Sequence, residues 1–146
     1  MSNKNNNWSK RKKARQAALC YLYAIEFGGE CSEDSIYELA DDFDLDNMDI
    51  EYFRHCSTEI IDIIPDIDKE ISERLVDWNI DRIAKVDLCI LRLAMYEILH
   101  MEDIPADVSI NEAVDLAKTY GASEGAFVNG ILSTYYKDLL QNSNIE

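Results

Sequence analysis

Apolar residues recur along this chain at steps of three and four, and no run alternates strictly, so the pattern predicts helices and no strands. Ala14, Ala18, Leu22 and Ile25 form the inward stripe of a first helix, capped at Ser9, running to about Phe27 and stopped by Gly28-Gly29. Ser32 or Asp34 opens a short second helix with Ile36, Leu39 and Ala40 inward. A third, from about Asp49 to Ile64, carries Phe53, Cys56, Ile60 and Ile64. Pro65 is expected to break it, because proline brings no N–H to the helical ladder. Ile67, Ile71 and Leu75 mark a fourth helix. A long fifth begins at Asn79 or Asp81 and carries Ile83, Val86, Ile90, Leu93 and Ala94. With two more helices downstream the expectation is an all-α chain of about seven helices.

The stretch from Asp103 to Leu132 holds the densest local signals. Pro105 forces the residue before it into extended backbone, so the fifth helix should end between His100 and Asp103. Ser109-Ile110-Asn111-Glu112 reads as a capping box, with Val108 and Ala113 as its hydrophobic staple. Ala113, Leu116, Ala117 and Tyr120 then share a face. Lys118 suits the negative end of the helix dipole, and Gly121 is placed to give a left-handed stop. Ser123 can cap a last helix with Phe127, Ile131 and Tyr135 at intervals of four.

Charge changes the picture more than composition does. The net charge is -15 over 146 residues, which on its face disfavours a nucleic-acid partner. The distribution reverses that. Residues 1–25 hold Lys4, Lys10, Arg11, Lys12, Lys13 and Arg15 and no acid, so the remaining 8 bases face all 29 acids, a net of -21. A cationic arm on an acidic body admits a polyanion at one end only. Residues 1–8 read as a flexible polar leader, 9–140 as a single helical domain and 141–146 as a tail expected to fray. Cys20, Cys31, Cys56 and Cys89 are scattered without a C-x-x-C and read as free thiols of a reducing compartment. No apolar run is long enough to span a bilayer, which predicts a cytoplasmic protein without a membrane partner.

Catalytic and metal chemistry find little support. Asp42, Asp44 and Asp46 match the first positions of a calcium loop. Asn47 and Phe53, however, stand where the loop needs its glycine and its closing glutamate. His55 and His100 have no second ligand at metal spacing, and no nucleophile motif or phosphate-cradling glycine loop occurs. The expectation is a protein that is not an enzyme and carries no cofactor or metal. Cations beside flat aromatic rings are, by contrast, what single-stranded RNA needs. Tyr23, two turns beyond Arg15, and Phe127, at the start of the last helix, are the candidate rings. Both also read as core residues.

D-I-P-x-x-V-x-I-N-E-A-V-x-L-A-K-x-Y-G from Asp103, followed by the F-V-N-G-I-L that begins at Phe127, resembles the C-terminal half of the NusB family of bacterial transcription antitermination factors. Asp81-Arg82, the run Ile90 to Glu97, and Arg11-Lys12-Lys13-Ala14-Arg15 leading to Leu22-Tyr23 fit the same pattern in the same order. The resemblance implies two packed helical subdomains. It implies a surface for single-stranded boxA-like RNA built from Lys10, Arg11, Lys12, Lys13, Arg15, Tyr23, Phe127 and Asn129. It also implies contact through Asp81 and Asp87 with the basic ribosomal protein NusE, within the transcription elongation complex. Monomers and homodimers both remain open. So does a second class of function, a helical adaptor related to the N-terminal domain of ribosomal RNA cytosine methyltransferases.

Overall fold

Among the described residues the apolar stripes lie on helices, and one helix runs through a break expected of it. The computed structural model describes residues 3–29, 34, 47–77, 79–123 and 125–145, with side chains from residue 9 to residue 142. Within them lie α1 (Asn3–Glu26), α2 (Ile50–Glu73), a 3-10 turn (Ile80–Arg82), α3 (Lys85–His100), α4 (Ala106–Tyr120) and α5 (Ala126–Ile145). The all-α class holds, and no strand occurs among the described residues. The count of about seven does not hold: the described residues form five α-helices and one 3-10 turn. The helix expected at Ile36–Ala40 and the acidic calcium-like stretch before Asn47 lie outside the described residues. Among those described, no helix is long and apolar enough to cross a membrane.

One expected helix is lost because Pro65 does not break α2; it sits exposed inside it. A mid-helix proline costs roughly 3 kcal/mol. Phe53, Cys56 and Ile60 before it, and Ile67 and Ile71 after it, are fully buried. Each large apolar side chain contributes about 1.5–3 kcal/mol on burial, so the stripes on both sides outweigh the lost hydrogen bond.

Two compact units divide the chain, Met1–Asp62 and Ile63–Glu146. In the first, α1 starts at Asn3, upstream of the expected Ser9 cap, and buries Ala14, Ala17, Ala18, Tyr21 and Leu22. Tyr21 meets Phe53 edge to face, ring centroids 6.3 Å apart. Gly28 takes the left-handed conformation (φ 89°), and the Gly28 and Gly29 N–H groups donate to the carbonyls of Ile25 and Ala24, closing α1 as expected.

In the second unit α3, α4 and α5 pack pairwise. Every residue of α3 from Asp87 to Glu97 is buried, so the helix is covered all round. It starts at Lys85, because Ile83 and Ala84 are extended and Asn79 caps only the 3-10 turn. Arg92 makes two hydrogen bonds to Asp68, at 2.9 and 2.8 Å. Arg74, just past α2, donates to Glu70 and, at 2.7 Å, to Asp138 of α5, and lies over the Tyr135 ring. Burial, reinforced by Glu70, pushes the Tyr135 phenol up to about 12.

The capping box is replaced by a different device. Helix α4 begins at Ala106 behind Pro105, which offers no side-chain cap, so Ser109 lies inside the helix and Val108 is exposed. The Ser109 hydroxyl donates instead to Glu97 Oε1 of α3, 3.0 Å away and buried. Gly121, expected to be left-handed, is extended (φ −82°). The left-handed glycine of the α4–α5 connection is Gly125 (φ 96°).

Ser109→Ala should therefore cost about 1–3 kcal/mol through loss of a buried hydrogen bond to a carboxylate. Ser109→Asp, a substitution that an N-cap would tolerate, should cost more than Ala by setting a second carboxylate against Glu97. Urea unfolding of both variants checks this; an Asp variant as stable as the parent would restore the cap.

Candidate nucleic-acid interface

The basic run of α1 divides by helical position into two kinds of cation. Asp49, directly before α2, organises the first kind. Its Oδ1 accepts from the Tyr52 N–H at 3.1 Å, capping α2, and its Oδ2 accepts from Arg11 Nε at 2.8 Å. The Asp49 N–H in turn donates to the Lys10 carbonyl. Arg11 and Arg15, one turn apart, lie over the Tyr52 ring, with guanidinium carbons 5.0 and 5.5 Å from its centroid. Arg15 is only 2% exposed. These two arginines hold α1 against the start of α2. They are structural cations first, which narrows the five-residue arm expected to meet phosphates.

Lys10 and Lys13 have no side-chain partner among the described residues. Lys12, Lys13, Gln16, Cys20 and Tyr23 fall within about 100° of the helix circumference at 3.6 residues per turn, and none of the five is buried. Tyr23 is 42% exposed. Of the two readings left open for it, surface prevails. Cys20 is exposed on the same face, whereas Cys56 and Cys89 are buried thiols; Cys31 lies outside the described residues. Phe27, which sequence reasoning treated only as a helix end, is 65% exposed and rests against Tyr23, with centroids 4.9 Å apart and planes tilted by 57°. Its spacing of four from Tyr23 was the available signal.

The other expected residues belong to the second unit. Phe127 is the second residue of α5 and half-buried, and Asn129 is exposed one turn into the helix. Asp81 is exposed on the 3-10 turn, its N–H donating to the Asn79 side chain. Asp87 is not a surface group: it is 3% exposed and lies near the Ala122 N–H and the Ser123 hydroxyl, yet its Oδ1 has no hydrogen-bond partner among the described residues. Burial pushes its pKa above the ordinary 3.8, and those two donors pull it partway back. A Cβ on Gly121 would collide with Asp87 Oδ1 and with the Ala117 carbonyl, so close approach requires glycine there. Ser123, expected to cap the last helix, instead leaves its hydroxyl buried beside Asp87 with no hydrogen-bond partner among the described residues. Among the described residues no group of three or more His, Cys, Asp or Glu could hold a metal ion.

An all-helical chain that bears cations and exposed rings along one helix face has the makings of a binding factor. The NusB family model matches residues 12–137. Transcription antitermination protein NusB of Acetivibrio thermocellus is 38% identical over 135 residues, covering 92% of this chain and 93% of that protein. Its counterpart in Bacillus subtilis is 39% identical over 134 residues, covering 91% and 99%. Among solved structures, T. maritima NusB superposes with a TM-score of 0.74 at 36% identity, covering 87% of this chain and 90% of that one. A chain of the "Crystal Structure of a Plectonemic RNA Supercoil" gives 0.72 at 30% identity, covering 88% and 95%. This chain belongs to the NusB family, which is not a family of enzymes.

The folded chain holds the Asp87 proton more tightly than the unfolded chain does, so ionisation of Asp87 opposes folding. That penalty is complete above the raised folded-state pKa and absent below the unfolded value near 3.8. Asp87→Asn keeps an oxygen beside Ala122 and Ser123. It should be more stable than the parent at neutral pH, with the gain shrinking as pH falls toward 3.8. Urea midpoints across that range check it; a pH-independent difference would mean that Asp87 does not carry the penalty.

Proposed function

We propose that this chain acts in transcription antitermination by binding single-stranded boxA-like RNA together with the ribosomal protein NusE. The general role, an RNA-associated antitermination factor, follows from family membership. The observation that carries the finer reading is the face of α1 on which exposed Tyr23 shares a stripe with Lys12 and Lys13. Cations there would meet phosphates, and the ring would take an unstacked base. No bond is made or broken; holding the RNA in place is the whole mechanism. Phe127 and exposed Asn129 would add contacts from the first turn of α5, the positive end of its helix dipole. Arg11 and Arg15 enter this reading as supports that keep α1 in place.

NusE, a basic protein, would meet the acidic body through an exposed carboxylate such as Asp81. Asp87, being buried, would contribute by holding the α4–α5 connection rather than by touching the partner. The relatives are matched along nearly their whole length. That favours the antitermination reading those relatives' names carry over the methyltransferase-linked adaptor.

Each phosphate contact contributes about 0.7 to the slope of log affinity against log salt for single strands. Replacing Lys10 and Lys13 together with alanine should shallow the slope by up to about 1.4 and leave the unfolding midpoint unchanged. Arg11→Ala should instead lower stability by about 0.2–1 kcal/mol through loss of the Asp49 pair, with a smaller change in slope. The measurement is a salt titration with boxA-like RNA, with and without NusE. A lysine variant that keeps parental affinity and slope would remove α1 from the RNA surface.

A further inference from the structure

We infer that Phe27 is a second base-stacking residue, forming with Tyr23 a two-ring platform that takes adjacent unstacked bases of single-stranded RNA at the end of α1. The inference rests on the RNA reading above and adds a residue to it. Phe27 is the more exposed of the two rings, at 65%. It is also held in place. Its N–H donates to the Ala24 carbonyl at 3.2 Å, and the Gly28 and Gly29 N–H groups close the same turn onto Ile25 and Ala24. An exposed apolar ring whose backbone is held at a closed helix end, and which rests against a second ring, is a contact surface at a set place on the chain.

The chemistry of the neighbourhood selects the occupant. Tyr23 and Phe27 touch each other, so no slot opens between them and a base must lie on an outer face. The 57° tilt gives the two rings outer faces of different direction. That suits two bases splayed from one strand better than a single flat ligand. Lys12 and Lys13 precede the rings on the same helix, and α1 contains a single acid, Glu26. Elsewhere the chain is strongly acidic, so a polyanion is directed to this helix and an acidic partner has no other cationic arm to seek. Stacking is tolerant of base identity because every base has a π-face. The platform would therefore strengthen binding without itself selecting a sequence.

The test uses the full chain and boxA-like RNA carrying 5-iodouridine at single positions. Irradiation and peptide mapping should place crosslinks from neighbouring nucleotides on Tyr23 and Phe27. Phe27→Ala should weaken RNA binding by roughly 5- to 100-fold, the range for losing one stacked base, with the salt slope and the unfolding midpoint unchanged. Phe27→Trp should bind like the parent. Phe27→Leu, which keeps apolar bulk and loses the flat ring, should fall with Ala. Parental affinity in both the Ala and Leu variants, while the Lys10/Lys13 variant still shallows the slope, would overturn the platform and leave the RNA reading standing. If Phe27→Ala spared RNA but weakened NusE binding, the ring would belong to a protein contact and the inference would fall. Absence of any salt-dependent RNA binding by the parent chain would remove both readings.

Discussion

A charged group inside a helical bundle costs several kcal/mol unless a partner meets it, and the central helix of the second unit buries three. Two of them are met by hydrogen bonds from other elements, and the third lies against a connection that only partly offsets its burial. Arg92 reaches Asp68 in the last part of α2 through two hydrogen bonds. Glu97 accepts from Ser109 of α4. Asp87 lies near the Ala122 N–H and the Ser123 hydroxyl in the connection to α5. The apolar surface of α3, buried all round, supplies most of the attraction, but apolar contact alone does not favour one rotation of a helix over another. The two polar ties, with the close fit of Gly121 against Asp87, fix which side of α3 each neighbour covers.

The close fit at Asp87 matters most for the candidate surface. Gly121 lets the backbone come close enough to Asp87 that no side chain would fit. Gly125 supplies the left-handed turn into α5, and its carbonyl accepts from Asn129 N–H at 2.9 Å. The segment that delivers Phe127 and Asn129 is therefore held from the core outward. In the first unit Asp49 has a similar place, joining the cap of α2 to the arginine pair of α1.

Helical periodicity made the inward residues legible, from Ala14 and Leu22 to Ile90 and Leu93, because burial is set by the hydrophobic pattern. Helix ends were less legible, since they answer to competing local and tertiary terms. Pro65 looks like a break until the burial on both sides of it is weighed. Ser109 and Glu112 have capping-box spacing, yet the buried Glu97 carboxylate one helix away claims the serine. Gly121 looked like a conformational glycine and proved to be a steric one, a distinction that depends on a residue 34 positions earlier in the chain. The cationic run reads as uniform until α1 is given its three-dimensional neighbours, which divert Arg11 and Arg15 to Tyr52 and leave the lysines facing outward. Tyr23 was reached through family resemblance. Phe27 was hidden because a residue next to Gly-Gly reads as punctuation.

The unbroken helicity of α1 from Lys10 to Tyr23 makes this segment a ruler. Each residue advances the axis by about 1.5 Å and turns it by about 100°, so the lysines and the ring stand at a spacing and an azimuth that neither side can adjust alone. Deleting one residue between Lys13 and Tyr23 would swing the ring about 100° away from the cations while shortening the gap by only about 1.5 Å. On the RNA reading, the length of this stretch is therefore constrained as firmly as its buried side chains. Insertions and deletions in the family should be excluded from it even where residue identity drifts.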